Sequence, residues 1–335
     1  MKRLLVLWAL VVLVGLIFMD CKGQEVQVEE NKYSIRIDSV YVPSGQDSIF
    51  GILYTPDKTA GRFPAVICLQ GGGDVGLDNY TYEPRKFAEQ GMVALVCDKA
   101  GTGRSKGPSN WEHQTFNEKV EEYRRLMDWM RSLPQVKEDV VGVHGMSEGG
   151  RLAIALAGKY PDEIAFANSV VGPIESFKEN QLYAIECLLN SRQVDSTTTE
   201  RCVHIWNDYF DGIYKGDIDQ SLIDEINALR SGNPSLYLPT NSTRIPIRPK
   251  AADIHFNTID LVGDITCPVL FQFGELDVLV DTKTTLSLIP DKENFKIIEY
   301  KQTTHNMTYP NGDIHSDFIS DKMIWLQEKG IVDNQ

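Results

Sequence analysis

From Tyr33 to Val40 apolar and polar residues alternate as in a half-buried strand. Pro43-Ser44-Gly45-Gln46 then turns the chain into a second strand over Ile49 to Tyr54, so an antiparallel hairpin is expected first. After it the pattern changes. Pro64 to Leu69, Met92 to Cys97, a run beginning near Val140, Ala165 to Val171, Pro268 to Phe273 and Phe295 to Tyr300 read as strands of a sheet covered on both faces. Between them lie a helix over Tyr82 to Gln90, an amphipathic helix carrying Phe116, Val120, Tyr123, Met127 and Met130, and a small-residue helix from Arg151. A last amphipathic helix covers Phe318 to Lys329. This rhythm predicts an α/β fold: a mostly parallel, doubly wound sheet opened by an antiparallel hairpin.

From about Gly172 to Asp264 the rhythm stops. Leu182, Ile185 and Leu189, and again Trp206, Tyr209, Phe210 and Ile213, keep helical spacing without buried strands between them, while Tyr237 to Lys250 holds three prolines. A helical cap inserted over the sheet is expected here. Its aromatic stripe packs as core or, with Trp206, Tyr209 and Phe210, lines an acyl or aryl pocket.

Composition narrows the partners. The 335 residues are 42% hydrophobic, 24% charged and carry a formal charge of −14, which argues against nucleic acid and anionic membrane surfaces. Lys2-Arg3 precede an apolar run from Leu4 to Met19, the shape of a signal peptide over residues 1–20, with a linker over 21–32. Cys21 is the candidate for lipidation, although Met19 and Asp20 are larger than the residues usual before such a cysteine. Export as a periplasmic or membrane-anchored protein is the expectation. The six cysteines show no metal-ligand spacing, so no metal site is expected; Cys68 and Cys97 fall in strands, and Cys187 and Cys202 are free to pair or not.

The chemistry centres on Gly145-Met146-Ser147-Glu148-Gly149, between a buried run and a helix. Such a strand-turn-helix lifts a serine above the sheet edge. Three fixed positions recur by chance in about one chain of this length in ten, so the rest of the chain must decide. A nucleophilic serine needs a base, and the base a carboxylate, in the order nucleophile, acid, base. Asp277, after the Pro268 to Phe273 strand, is the preferred acid, with Glu275 and Asp281 as alternatives. His305, after the final strand, is the preferred base over His315. The oxyanion calls for two amides. One is assigned to Glu148 N–H, the other to Gly72 or Gly73 in the loop Gln70-Gly71-Gly72-Gly73. The Glu148 carboxylate is expected to point away or to pair with a cation, Arg151 being one candidate.

These elements, with the turn Asp98-Lys99-Ala100-Gly101-Thr102-Gly103-Arg104-Ser105, resemble the α/β-hydrolase superfamily from Tyr33 to the C-terminus. Within it the chain is most similar to bacterial esterases and to prolyl-oligopeptidase-like and dienelactone-hydrolase-like catalytic domains. The resemblance implies a Ser147–Asp277–His305 triad and no cofactor. Gln70 departs from it, since many members carry histidine before the glycines. A small or medium ester is the expected substrate, and an exopeptidase or amidase using the same triad is the alternative. Arg244 and Arg248 are candidates for holding an anionic substrate group. Gly71 to Gly76 also spell G-x-G-x-x-G with Asp98 at the next strand end, but Leu77 to Tyr82 and Pro84 delay the helix that a dinucleotide fingerprint requires. A non-catalytic binding protein would retain the fold without filling these positions.

Overall fold

The computed structural model describes residues 32–57, 61–73, 76–239 and 251–333. The expected leader, Cys21, the linker up to residue 31, and Arg244 and Arg248 lie outside them.

Strands β1 (Ile35–Ser44) and β2 (Asp47–Pro56) pair antiparallel around the tight turn Gly45-Gln46, where Gly45 adopts φ +62°. β1 is an edge strand, which is where a strand tolerates the missing donor of Pro43. β3 (Phe63–Leu69), β4 (Val93–Cys97), β5 (Val136–Met146), β6 (Ala167–Val170), β7 (Val269–Gly274) and β8 (Phe295–Tyr300) complete an eight-stranded sheet ordered β1-β2-β4-β3-β5-β6-β7-β8. β2 meets β4 antiparallel, and every pairing from β4 to β8 is parallel. This is the α/β-hydrolase fold.

β5 starts four residues earlier than its apolar run. Phe63 pairs with Val136, and the register then shifts so that Ala65 meets Val141. The irregularity takes up Lys137, Glu138 and Asp139, which are exposed and hide the strand's beginning from a hydrophobicity pattern.

Helices α2 (Phe116–Arg131) and α3 (Glu148–Lys159) cover one face, burying Val120, Met127, Leu152 and Leu156 against Ile67, Val143 and Phe271. A capping box, with Thr115 and Glu118 each satisfying the other's backbone N–H, starts α2. Helices α1 (Tyr82–Glu89) and α9 (Phe318–Glu328) cover the other face, packing Phe87, Met323 and Trp325 on Val66, Ala94 and Leu270.

That second face also holds a polar chain across four strands. The Lys322 ammonium of α9 pairs with the Glu83 carboxylate of α1, whose Oε2 lies 3.0 Å from His144 Nε2. His144 Nδ1 is 2.7 Å from Asn168 Oδ1, and Asn168 donates to Gln272 Oε1 at 3.1 Å. Gln272 donates to the Tyr300 hydroxyl at 2.8 Å, and Tyr300 donates to Asp321, back on α9, at 3.0 Å. His144, Asn168, Gln272 and Lys322 are buried, so each depends on its neighbours for the bonds that water would otherwise supply.

Between β6 and β7 the chain forms α4 (Phe177–Ser191), α5 (Ser196–Lys215) and α6 (Gln220–Gly232), followed by the short α7 (Ile259–Val262). Helices α4, α5 and α6 carry their own apolar cluster, including Ile185, Leu189, Ile205, Trp206, Phe210 and Ile226. The segments entering and leaving them are tied together: Lys178 N–H donates to Ile254 C=O and Ile259 N–H to Ile174 C=O, beside a bridge between Ser176 and Asn257.

Candidate active site

Between β5 and α3, Ser147 adopts φ 57°, ψ −120°, a conformation that costs an L-residue of order 1–3 kcal/mol and persists only where the surroundings impose it. Ser147 N–H donates to Val170 C=O at 2.8 Å, tying the turn to the end of β6. The flanking glycines are a steric requirement. A Cβ on Gly145 would lie 2.1 Å from Gly149 O, and one on Gly149 would lie 2.2 Å from Leu69 O. Glu148 opens α3, so its N–H is among the first donors of a helix, which have no partner within it.

Asp277 follows β7 and is buried. Its Oδ1 accepts Leu279 N–H at 2.8 Å and Val280 N–H at 2.9 Å, leaving Oδ2 2.7 Å from His305 Nδ1. A carboxylate held this way places the imidazole proton on Nδ1 and leaves Nε2 as the acceptor. The two alternative acids are occupied elsewhere: Glu275 accepts Gln302 N–H and pairs with Lys301, and Asp281 caps α8 (Thr282–Leu288) through Thr284 N–H. His315 stacks against Tyr300 and Tyr309, and its Nδ1 accepts Asp317 N–H.

Backbone bonds join the acid and histidine loops. Leu276 N–H donates to Thr303 C=O at 2.8 Å, and Glu275 N–H to Tyr300 C=O at 3.0 Å. Met307, two residues past His305, is buried in one apolar cluster with Val170 and Val171, and Met146, adjacent to Ser147, packs on that cluster. The turn carrying the serine and the loop carrying the histidine therefore share a support.

The glycine-rich loop comes close to the serine: a Cβ on Gly71 would lie 3.5 Å from Ser147 Cβ. Gly71 N–H donates to the Tyr80 hydroxyl at 3.1 Å, and Gly73 adopts φ +84°. Lys99 donates to Gly71 C=O at 2.5 Å and to Gly73 C=O at 2.7 Å. Gln70 is fully buried, and its amide atoms have no hydrogen-bond partner among the described residues.

One expectation about charge is refined. Glu148 does pair with a cation, but the partner is Lys119 of α2, at 2.7 Å, rather than Arg151. Arg151 lies one helical turn into α3 and reaches the segments that enter and leave the cap helices. Its Nη2 donates to Glu175 C=O at 2.6 Å and Phe256 C=O at 2.8 Å, and its Nε to Thr258 Oγ1 at 2.9 Å. Burial pulls its pKa down to about 10, so it remains charged at neutral pH. Arg151 thus pins both ends of the cap. Arg151→Ala would leave three acceptors with no donor and should cost about 2–4 kcal/mol of stability in urea titrations.

The remaining candidates lie elsewhere. Trp206 and Phe210 are buried in the cap's own cluster with Tyr209 packed against it, and Trp206 Nε1–H donates to Tyr237 C=O at 3.0 Å. The structure uses this stripe as cap core. Cys187 and Cys202 are free thiols, as are Cys68, Cys97 and Cys267. Sequence reasoning missed Tyr183 of α4, whose hydroxyl donates to Asp277 C=O at 2.8 Å and so joins the cap to the acid loop. Nothing in its spacing marked it. Lys99 was visible inside the Asp98–Ser105 turn, but no pattern gave it a role.

Residues 47–202 match the model of the X-Pro dipeptidyl-peptidase (S15) family. An uncharacterized protein of Pseudomonas aeruginosa is 31% identical over 104 residues, a match spanning 30% of this chain and 28% of that protein. Among solved structures, Est1E of Butyrivibrio proteoclasticus with ferulic acid bound superposes with TM-score 0.57 at 17% identity, covering 87% of this chain and 98% of that one. Proline iminopeptidase of Mycobacterium smegmatis gives TM-score 0.56 at 18% identity, with the same two coverages.

Proposed function

We propose that this chain is a serine hydrolase of the α/β-hydrolase superfamily that cleaves small or medium carboxylic esters through an acyl-enzyme intermediate. One observation carries the reading: a serine held at positive φ on a strand-to-helix turn, and an aspartate-bound histidine, its Nε2 left as an acceptor, on a loop packed in the same apolar cluster as that turn. Ser147 Oγ attacks the ester carbonyl as His305 Nε2 takes its proton. Asp277 fixes the ring and stabilises the imidazolium. The tetrahedral oxyanion is received by Glu148 N–H and an amide of the glycine loop. His305 protonates the departing alcohol, and water, activated by the same base, releases the acid.

The family-model match favours a second reading, an exopeptidase or amidase on the same triad. Such an enzyme must anchor a peptide amine or carboxylate. Among the described residues, three carboxylates near the serine are already engaged: Glu148 with Lys119, Glu179 in the capping box of α4, and Glu175 with Ile174 N–H and Thr285. This supports ester cleavage. Hydrolysis of p-nitrophenyl acetate and butyrate, set beside aminoacyl and X-Pro p-nitroanilides, tests it. The ester should be favoured in kcat/KM by at least about a hundredfold, and faster anilide cleavage would make the chain a peptidase. The reading includes export, on the charged and apolar pattern of the first twenty residues, with Cys21 as the anchor.

A further inference from the structure

We infer that Lys99 is a positioning residue of the oxyanion site, turning the Gly72 N–H toward the developing charge. This rests on the hydrolase reading above and specifies which amide of the glycine loop does the work.

Lys99 stands at the end of β4 and is 1% exposed. Its ammonium grips the loop at two points, Gly71 C=O and Gly73 C=O, and lies 4.7 Å from the centre of the Trp111 ring. In a trans, planar peptide the C=O and the following N–H point in opposite directions. Holding the Gly71 carbonyl toward Lys99 therefore aims the Gly72 N–H away from it. Gly71 N–H is committed to Tyr80. Gly71 also borders Ser147, so the peptide whose direction Lys99 sets is the one beside the nucleophile.

Glycines leave this loop conformationally soft, and a soft donor loses much of its value because it must reorganise as charge develops. The two bonds from Lys99 remove that freedom. The ammonium also puts a positive charge behind the donor peptide, in a dry environment where Coulomb attraction is weakly screened. Trp111 fixes the assembly on its other side: Lys119 sits 4.3 Å from the same ring while pairing with Glu148. One aromatic ring thus contacts the cation that holds the glycine loop and the cation that neutralises the carboxylate next to the nucleophile.

The test compares wild type with Lys99→Met and Lys99→Arg. With p-nitrophenyl acetate, Lys99→Met should lower kcat about 10²–10³-fold while KM stays within about threefold, the signature of an interaction made in the transition state. Labelling of Ser147 by a fluorophosphonate should slow in parallel, and Lys99→Arg, which keeps charge and donors, should recover part of both rates. In wild-type protein labelled with ¹⁵N-glycine, phosphonylation should move the Gly72 amide proton downfield, a reading that does not depend on a variant folding. A folded Lys99→Met enzyme with wild-type kcat, a loss confined to KM, or an unmoved Gly72 amide would each overturn the inference. Wild type separates the two levels. If it neither hydrolyses esters nor labels at Ser147, the hydrolase reading falls; if it does both and Lys99→Met matches it, only the role of Lys99 falls.

Discussion

Ser147→Ala should fold as wild type does and lose about 10⁵–10⁶-fold in kcat, the loss seen when the nucleophile of a serine triad is removed. The reason is local. Asp277 Oδ1 is taken up by Leu279 and Val280, Oδ2 by His305, and the imidazole has no other nucleophile on the turn to activate. Stability should respond differently. Alanine keeps the Cβ and with it the cost of φ 57°, whereas Ser147→Gly removes that cost and should raise stability by about 1–2 kcal/mol while being equally inactive. Initial rates on p-nitrophenyl acetate and urea midpoints for both variants check this. More than about 1% of wild-type turnover in Ser147→Ala would remove Ser147 from the mechanism.

Lys322→Met should destabilise the protein by about 3–5 kcal/mol, because it leaves the Glu83 carboxylate facing a buried face without its cation. The pair does not stand alone: Glu83 leads through His144, Asn168, Gln272 and Tyr300 to Asp321, so one lost partner disturbs a chain spanning β5 to β8. Removing both charges, as Lys322→Met with Glu83→Gln, should cost less than the sum of the single changes, and a double-mutant cycle in urea measures the difference. Acid should act on the same group. Burial by itself would raise the Glu83 pKa, but His144 and Lys322 outweigh it and hold the carboxyl well below its usual range. A depressed folded pKa means that the stabilisation is complete above the unfolded value near 4.5 and is lost progressively as the pH falls below it. The Glu83→Gln variant should therefore show a shallower loss of stability below pH 4.5 than wild type.

Much of this molecule is legible in its sequence. Runs apolar on both faces announce strands between two helical layers, and β3, β4 and β7 lie within a residue of where those runs fall. β5 shows the limit, because its first residues are held by pairing with β3 while their side chains face water. The Gly-x-Ser-x-Gly turn was legible for the same reason that it is needed: no side chain larger than hydrogen fits at Gly145 or Gly149.

What the sequence determined by itself was local or ordinal: the periodicity of each element, the glycines that the turn demands, and the order Ser147, Asp277, His305 along the chain. Which charge meets which was left to the tertiary structure. Lys119 rather than Arg151 reaches Glu148, Lys99 closes on the glycine loop 26 and 28 residues before it, and Lys322 finds Glu83 across 239 positions. Periodicity reports which face of an element is buried. It carries no information about the partner that packing brings to that face, and for buried charges the partner decides whether burial costs or stabilises.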